Sequence, residues 1–214
     1  MRIVFMGSPE FAVDSLKALV EASQHEVVAV ITQPDRPKGR GQKVLMTAVK
    51  EYALTKKLPV LQPAKIRTQE FVEELKALKP ELIVVVAFGQ FLPKDILQMP
   101  KYGCINVHAS LLPKYRGAAP IHYAIMNGEK ESGVTIMMMD EGMDTGAMLA
   151  KSVTAISDDM TMGVLHDQLK IAGAKLLLDV VEGLEKGTIK PVPQNNEEAT
   201  YASLLDKEIE KIEW

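Results

Sequence analysis

The chain has 214 residues, 47% hydrophobic and 25% charged, with a formal net charge of −3 and one cysteine. This length gives one large domain or one and a half small ones, and lets roughly 70% of the unfolded surface be buried without staples. The balance excludes an intrachain disulfide framework, a broad nucleic-acid-binding surface and a membrane span, since no apolar run approaches the ~20 residues a span needs.

The N-terminus opens into a strand pattern over 2–6 without signal or transit character, so a cytoplasmic location is the default. Ser8 suits a helix cap, Pro9 the first helical position and Glu10 the positive end of the helix dipole. The helix that follows carries Phe11, Ser15, Leu16 and Leu19 at helical spacing. Positions 26–32 form a nearly continuous apolar run, as in a buried parallel strand. A polar loop over 33–42 is expected next, then a helix over 44–57, a short strand over 59–61 and a helix over 68–78. Positions 82–88 make the most hydrophobic strand, expected at the centre of the sheet, and 103–107 make another. Such alternation predicts parallel pairing with right-handed crossovers. The fold class is therefore α/β, a Rossmann-like, mostly parallel twisted sheet with helices on both faces.

The second half changes character. Strands over 133–139 and 147–156, separated by a Gly-rich loop, read as antiparallel neighbours. Positions 161–186 form a long amphipathic helix with Leu165, Leu169, Ala172, Leu176, Val180 and Leu184 on one stripe. The tail over 191–214 is polar, without periodicity until Lys207.

Chemistry concentrates where the strand over 103–107 ends. Asn106 and His108 stand two apart, which puts both on one face of a strand, and a loop with Pro and Gly follows at once. In open α/β sheets ligands bind at such carboxyl ends. An amide donor beside an imidazole suits an acyl-type transfer, whose transition state builds negative charge on a carbonyl oxygen. The plainer reading is a loop-capping Asn106 and a satisfied interior His108.

Asp144, between Gly142 and Gly146, reads as a carboxylate that orients His108, or as a loop aspartate bonding its own backbone. Asp140, Glu141 and Asp144 also suggest a metal site, but no His or Cys cluster accompanies them, which ranks metal second.

Arg36, Lys38, Arg40 and Lys43 crowd four cations into eight residues, either to meet a nucleic-acid backbone or as a solvated loop. A single glycine, Gly7, follows the first strand, so a dinucleotide fingerprint is missing. The run Phe88-Gly89-Gln90-Phe91-Leu92 is a strand exit that can wall the same crevice. Met137 to Met139 read as core filling, Cys104 as a buried structural thiol, and His122 and His166 as packing or surface residues.

The pattern Asn106-x-His108-x-Ser110-Leu111-Leu112-Pro113, with Asp144 downstream in MDEGMDTG, resembles the folate-dependent formyltransferase superfamily. RGAAPI (116–121) and TQPDRPKGRG (32–41) are similar to the branch that formylates methionyl-tRNA. The glycinamide ribonucleotide branch usually has a glycine-rich phosphate loop after the first strand, which Gly7-Ser8-Pro9-Glu10 does not supply. The resemblance runs over essentially the whole chain. It implies formyl transfer from 10-formyltetrahydrofolate, without a metal, to the amino group of methionine on initiator tRNA, for translation initiation. It implies Asn106, His108 and Asp144 as the catalytic trio. Ser110, Leu111, Leu112 and Pro113 would contact folate, with Phe88, Gly89, Gln90, Leu92, Met139 and Asp140 lining its pterin pocket.

Arg36, Lys38, Arg40 and Lys43 would touch the tRNA acceptor end. Family members also carry a C-terminal β-barrel, so the resemblance places a catalytic domain over 1–190 and a linker over 191–214, with the barrel absent. A monomer is expected. Two other readings remain: a noncatalytic RNA-binding module that uses only the basic loop, and a metal-dependent hydrolase using Asp140 and Asp144.

Overall fold

The computed structural model describes residues 1–22, 24–38 and 43–206, without the side chains of Lys38 and Lys43. A seven-stranded sheet runs in the order β10-β9-β7-β6-β1-β2-β5. Its parallel part comprises β1 (Arg2–Gly7), β2 (Glu26–Ile31), β5 (Val60–Leu61), β6 (Leu82–Val86) and β7 (Cys104–His108). The antiparallel edge is β9 (Glu131–Met138) against β7, then β10 (Met148–Ala155) against β9. β6 is the fourth of the seven strands, central as its apolar run predicts.

Alternating side chains divide the core. Ile3, Phe5, Val84, Ile105 and Val107 join one apolar cluster with α1 (Val13–Glu21), α2 (Ala48–Thr55), α5 (Pro120–Met126) and α6 (Met162–Lys186). Val4, Met6, Ile83, Val85 and Cys104 join a second cluster with α3 (Gln69–Ala77) and α4 (Lys94–Leu97). Helices thus cover both faces, and each fully buried Leu or Ile adds roughly 1.5–3 kcal/mol of stabilisation. The stripe on α6 holds in part: Leu165, Leu169 and Val180 are fully buried, whereas Ala172, Leu176 and Leu184 are half-buried and Leu177 and Val181 complete the buried face. Thr161 caps the start and Gly187, at φ +67°, ends it.

Three local expectations need correction. Ser8 does not cap a helix. A 3-10 turn, Glu10–Ala12, follows Pro9, and Ser8 Oγ instead accepts from Gln33 N (3.1 Å) and Thr32 Oγ1 (3.3 Å). The stretch read as a polar loop begins a hairpin, β3 (Arg36–Lys38) paired antiparallel with β4 (Lys43–Leu45). The helix expected from position 44 starts only at Ala48, because Val44 is in that hairpin and Thr47 Oγ1 takes the cap by accepting from Lys50 N.

The tail over 194–202 returns to the body. Its strand β11 (Tyr201–Ala202) pairs in parallel with β8 (Arg116–Gly117), in the loop after β7. Gly117, at φ +111°, has no room for a side chain, since a Cβ would lie 2.6 Å from the Ala202 carbonyl oxygen.

The chain winds outward from β1 through β2 to β5, then crosses to the other side of β1 to make β6 and β7. A crevice therefore opens at the carboxyl ends of β1 and β6, with the end of β7 beside it.

Candidate active site

β7 delivers Asn106 and His108 to that crevice. Ile105 and Val107 point into the α6 side of the core while Cys104 packs with α3 and α4, so Asn106 and His108 share the latter face. The imidazole is only 6% exposed. Its Nε2 lies 2.8 Å from the Tyr115 carbonyl oxygen. A carbonyl only accepts, so Nε2 carries the hydrogen and Nδ1 is the nitrogen that remains for chemistry. Nδ1 faces Asp144 Oδ2 at 3.7 Å. That gap is too long for a direct hydrogen bond and leaves Nδ1 able to bond a third atom. The Asn106 amide has no hydrogen-bond partner among the described residues and is half-buried at the crevice.

Asp144 is held in place by its loop. Its backbone is left-handed, φ +53°, a conformation aspartate tolerates better than most residues. Its Oδ2 accepts from Gly117 N at 2.8 Å, so the carboxylate links the loop after β9 to the loop after β7. Gly146 is required by a close approach: a Cβ there would lie 1.8 Å from the Met138 carbonyl oxygen.

The loop after β7 is set by Thr135, opposite His108 in the β9 register. Its hydroxyl donates to Ser110 O (2.7 Å) and accepts from Leu112 N (3.0 Å). Ser110, Leu112 and Pro113 are buried, Ser110 Oγ donating to Lys114 O at 2.6 Å, while Leu111 is half-buried.

A family model described as formyl transferase matches residues 1–181. The chain belongs to the formyl transferase family. A methionyl-tRNA formyltransferase from Acetivibrio thermocellus is 55% identical over 214 residues, spanning 100% of this chain and 68% of that one. One from Desulforamulus reducens is 57% identical, spanning 100% of this chain and 67% of that one. Among solved structures, an N-formyltransferase from Helicobacter canadensis in complex with folinic acid and dTDP-3-aminofucose matches at 26% identity. Its TM-score is 0.70, over 95% of this chain and 71% of that one.

Around the crevice, Phe88, Leu92, Met139 and Cys104 pack in one apolar cluster on the Asn106 side of the sheet. Gly89, at φ +82°, and Phe91 are exposed where β6 leaves the sheet. Gln90 Oε1 accepts from Ile66 N at 3.3 Å, whereas Gln90 Nε2 is buried without a hydrogen-bond partner. A hollow of about 240 Å³ opens beside Met139, Asp140 and Glu141 against α4. A larger hollow, about 430 Å³, lies between α3 and α4, and none of its lining residues belongs to the trio. Burial pushes the Cys104 thiol up to about 12, which makes it inert as a nucleophile at neutral pH.

Asp140, Glu141 and Asp144 do not converge on a metal-sized point among the described residues. Asp140 Oδ1 is taken by Gly142 N and Thr145 Oγ1. Glu10, His166 and Asp167 do come together, yet Lys170 Nζ donates to both of those carboxylates and supplies the cation. His166 also packs edge-on against Phe11, in the packing role read from its helix.

The hairpin β3–β4 is anchored at the crevice rim. Gln33 Nε2 donates to Phe88 O (3.0 Å), joining the exits of β2 and β6. Beside it, Lys50 Nζ donates to Asp35 Oδ2 (2.6 Å) and Gln62 Nε2 donates to Asp35 Oδ1 (2.7 Å). These two bonds hold the Asp35 carboxyl below the usual carboxylate range. Arg36 is exposed, its Nη2 donating to Gln33 Oε1 at 3.4 Å. The backbones of Lys38 and Lys43 pair with each other, and Arg40 lies outside the described residues.

Sequence reasoning missed Tyr115, Thr135 and Thr200 as partners of the site. Thr135 alone left a signal, a hydroxyl inside an apolar strand facing an expected catalytic histidine.

Proposed function

We propose that the crevice at the end of β7 transfers a formyl group from 10-formyltetrahydrofolate to the α-amino group of methionine on initiator methionyl-tRNA, the modification used in translation initiation. The chain does so as a cytoplasmic monomer. The observation that carries this reading is the convergence of a buried imidazole, a carboxylate 3.7 Å from it and an uncommitted amide at one strand end.

The residues present fit a folate. Phe88, Leu92 and Met139 offer an apolar wall, and the orphaned Gln90 Nε2 is a donor suited to a heteroaromatic ring acceptor. Gly89, Asp140 and the loop 110–113 complete that wall. When bound, the folate supplies an electrophilic formyl carbon.

Asn106 and the Nδ1–H of His108 stabilise the negative charge that develops on the formyl oxygen as the neutral amine attacks. Nε2–H on the Tyr115 carbonyl anchors the ring, and Asp144 faces Nδ1 from 3.7 Å, which leaves Nδ1–H free for the formyl oxygen. The C–N bond to the methionine nitrogen forms as the bond to the donor nitrogen breaks. One proton leaves the amine and one is delivered to the departing nitrogen. His108, backed by Asp144, is placed to pass it. No covalent enzyme intermediate is required. Arg36, Lys38, Arg40 and Lys43 contact phosphates at the tRNA acceptor end.

Asn106→Ala tests the oxyanion role. Its amide bonds nothing within the described residues, so the melting temperature should hold while kcat falls by roughly 10²–10³. A folded Asn106→Ala protein within twofold of the parent rate would remove Asn106 from the mechanism.

A further inference from the structure

His108 is held by two neighbours, and both are strained. Tyr115, whose carbonyl takes Nε2–H, sits at φ +58°, and Asp144, which faces Nδ1, sits at φ +53°. Left-handed backbone at residues other than glycine persists only where surrounding contacts over-determine it. For both residues one distant segment supplies hydrogen bonds to the backbone itself, beside the side-chain bonds of Asp144 to Gly117 N and of Tyr115 to Glu129 and Asn127. Thr200 Oγ1 accepts from Tyr115 N at 2.8 Å, and Thr200 O accepts from Arg116 N at 2.9 Å. Gln194 Nε2 donates to Asp144 O at 2.7 Å and to Gly146 O at 2.8 Å.

A third tie joins the two loops. Gln194 Oε1 accepts from Arg116 Nη2 at 2.8 Å and from Arg116 Nε at 3.1 Å, while Asn196 Oδ1 accepts from Nη2 at 2.8 Å. Arg116 is 2% exposed, and these amide oxygens take the hydrogens of its Nε and Nη2. Gln194 therefore grips the loop after β9 through one end of its amide and the loop after β7 through the other.

We infer that Gln194 and Thr200 are positioning residues for the His108 imidazole, fixing its separation from Asp144 through two strained backbones. The segment 194–202 then works as a strap that completes the transfer site, not as a tether beyond it. This rests on the proposed role of His108, and the controls separate the two ideas.

The test uses the 214-residue chain with Gln194→Ala, Gln194→Glu and His108→Ala, read by kcat, KM and the ring resonances of 15N-labelled histidine. Gln194→Ala should lower kcat by roughly ten- to a hundredfold, leave KM for both substrates within twofold, and shift the His108 signals, since a misplacement of about 1 Å costs that much. Gln194→Glu keeps an acceptor for Arg116 but loses the donor to Asp144 O, so it should not restore the rate. A purely structural tie to Arg116 predicts that it would.

If Gln194→Ala does not fold, Thr200→Val, of the same shape but without the acceptor for Tyr115 N, is read by the same measures. A folded Gln194→Ala (or Thr200→Val) protein at parental kcat with unmoved His108 signals overturns the strap. So does full rescue by Gln194→Glu. If His108→Ala is inactive in that experiment, only the strap falls. An active His108→Ala protein refutes the site itself.

Discussion

His108→Ala is expected to lower kcat by roughly 10²–10⁴ while the protein remains folded. That is about 2.7–5.5 kcal/mol of transition-state stabilisation, more than any other single change is expected to remove. The substitution also strips a donor from the buried Tyr115 carbonyl, so stability should drop by roughly 1–3 kcal/mol, a loss a domain of this size tolerates. Single-turnover formylation of methionyl-tRNA, paired with a thermal melt, checks both numbers. A rate near that of the parent in a folded variant would leave the histidine with a structural role only.

Asp144→Asn should be nearly as damaging, again by roughly 10²–10⁴ in kcat. The side chain is isosteric, and one oxygen remains to accept from Gly117 N, so loop and fold should survive. What changes is the charge: the oxygen that accepts from Gly117 N is also the one facing Nδ1, so Nδ1 then meets a neutral amide oxygen that supports a positive ring far less than a carboxylate does. Steady-state kinetics should show the loss in kcat with KM for the folate little altered. A loss confined to KM would instead assign Asp144 to binding.

The elements that follow from local periodicity were legible in the sequence. β6 reads as a central strand because five consecutive apolar residues leave no polar face, and α6 because its stripe repeats over 25 residues between a Thr cap and a Gly stop. The same-face pairing of Asn106 and His108 follows from strand geometry alone. Where expectation failed, a local signal had two readings.

Val44, Leu45 and Met46 fall inside the helix expected over 44–57, yet they sit 65%, 48% and 47% exposed in and after β4, and the true cap, Thr47, lacks the glutamate that would flag it. Ser8 has a cap's chemistry but spends its hydroxyl on the exit of β2. The strap lay beyond local reading. Thr200 meets Tyr115 across 85 positions and Gln194 meets Asp144 across 50, and nothing in a short polar stretch encodes such partners. The sequence singles out Gln90 only by its place at a strand exit and 110–113 by a family motif, whereas the orphaned donor on Gln90 needs coordinates to be seen.

The central claim is that Asn106 and His108 meet the formyl donor. Its most direct test is a titration of the chain, labelled with 15N in histidine and asparagine side chains, with folinic acid as a stable formyl-folate. One saturable site should move the His108 ring and Asn106 amide resonances together, while His25, His122 and His166 stay still. Saturable binding that leaves Asn106 and His108 unmoved would contradict it.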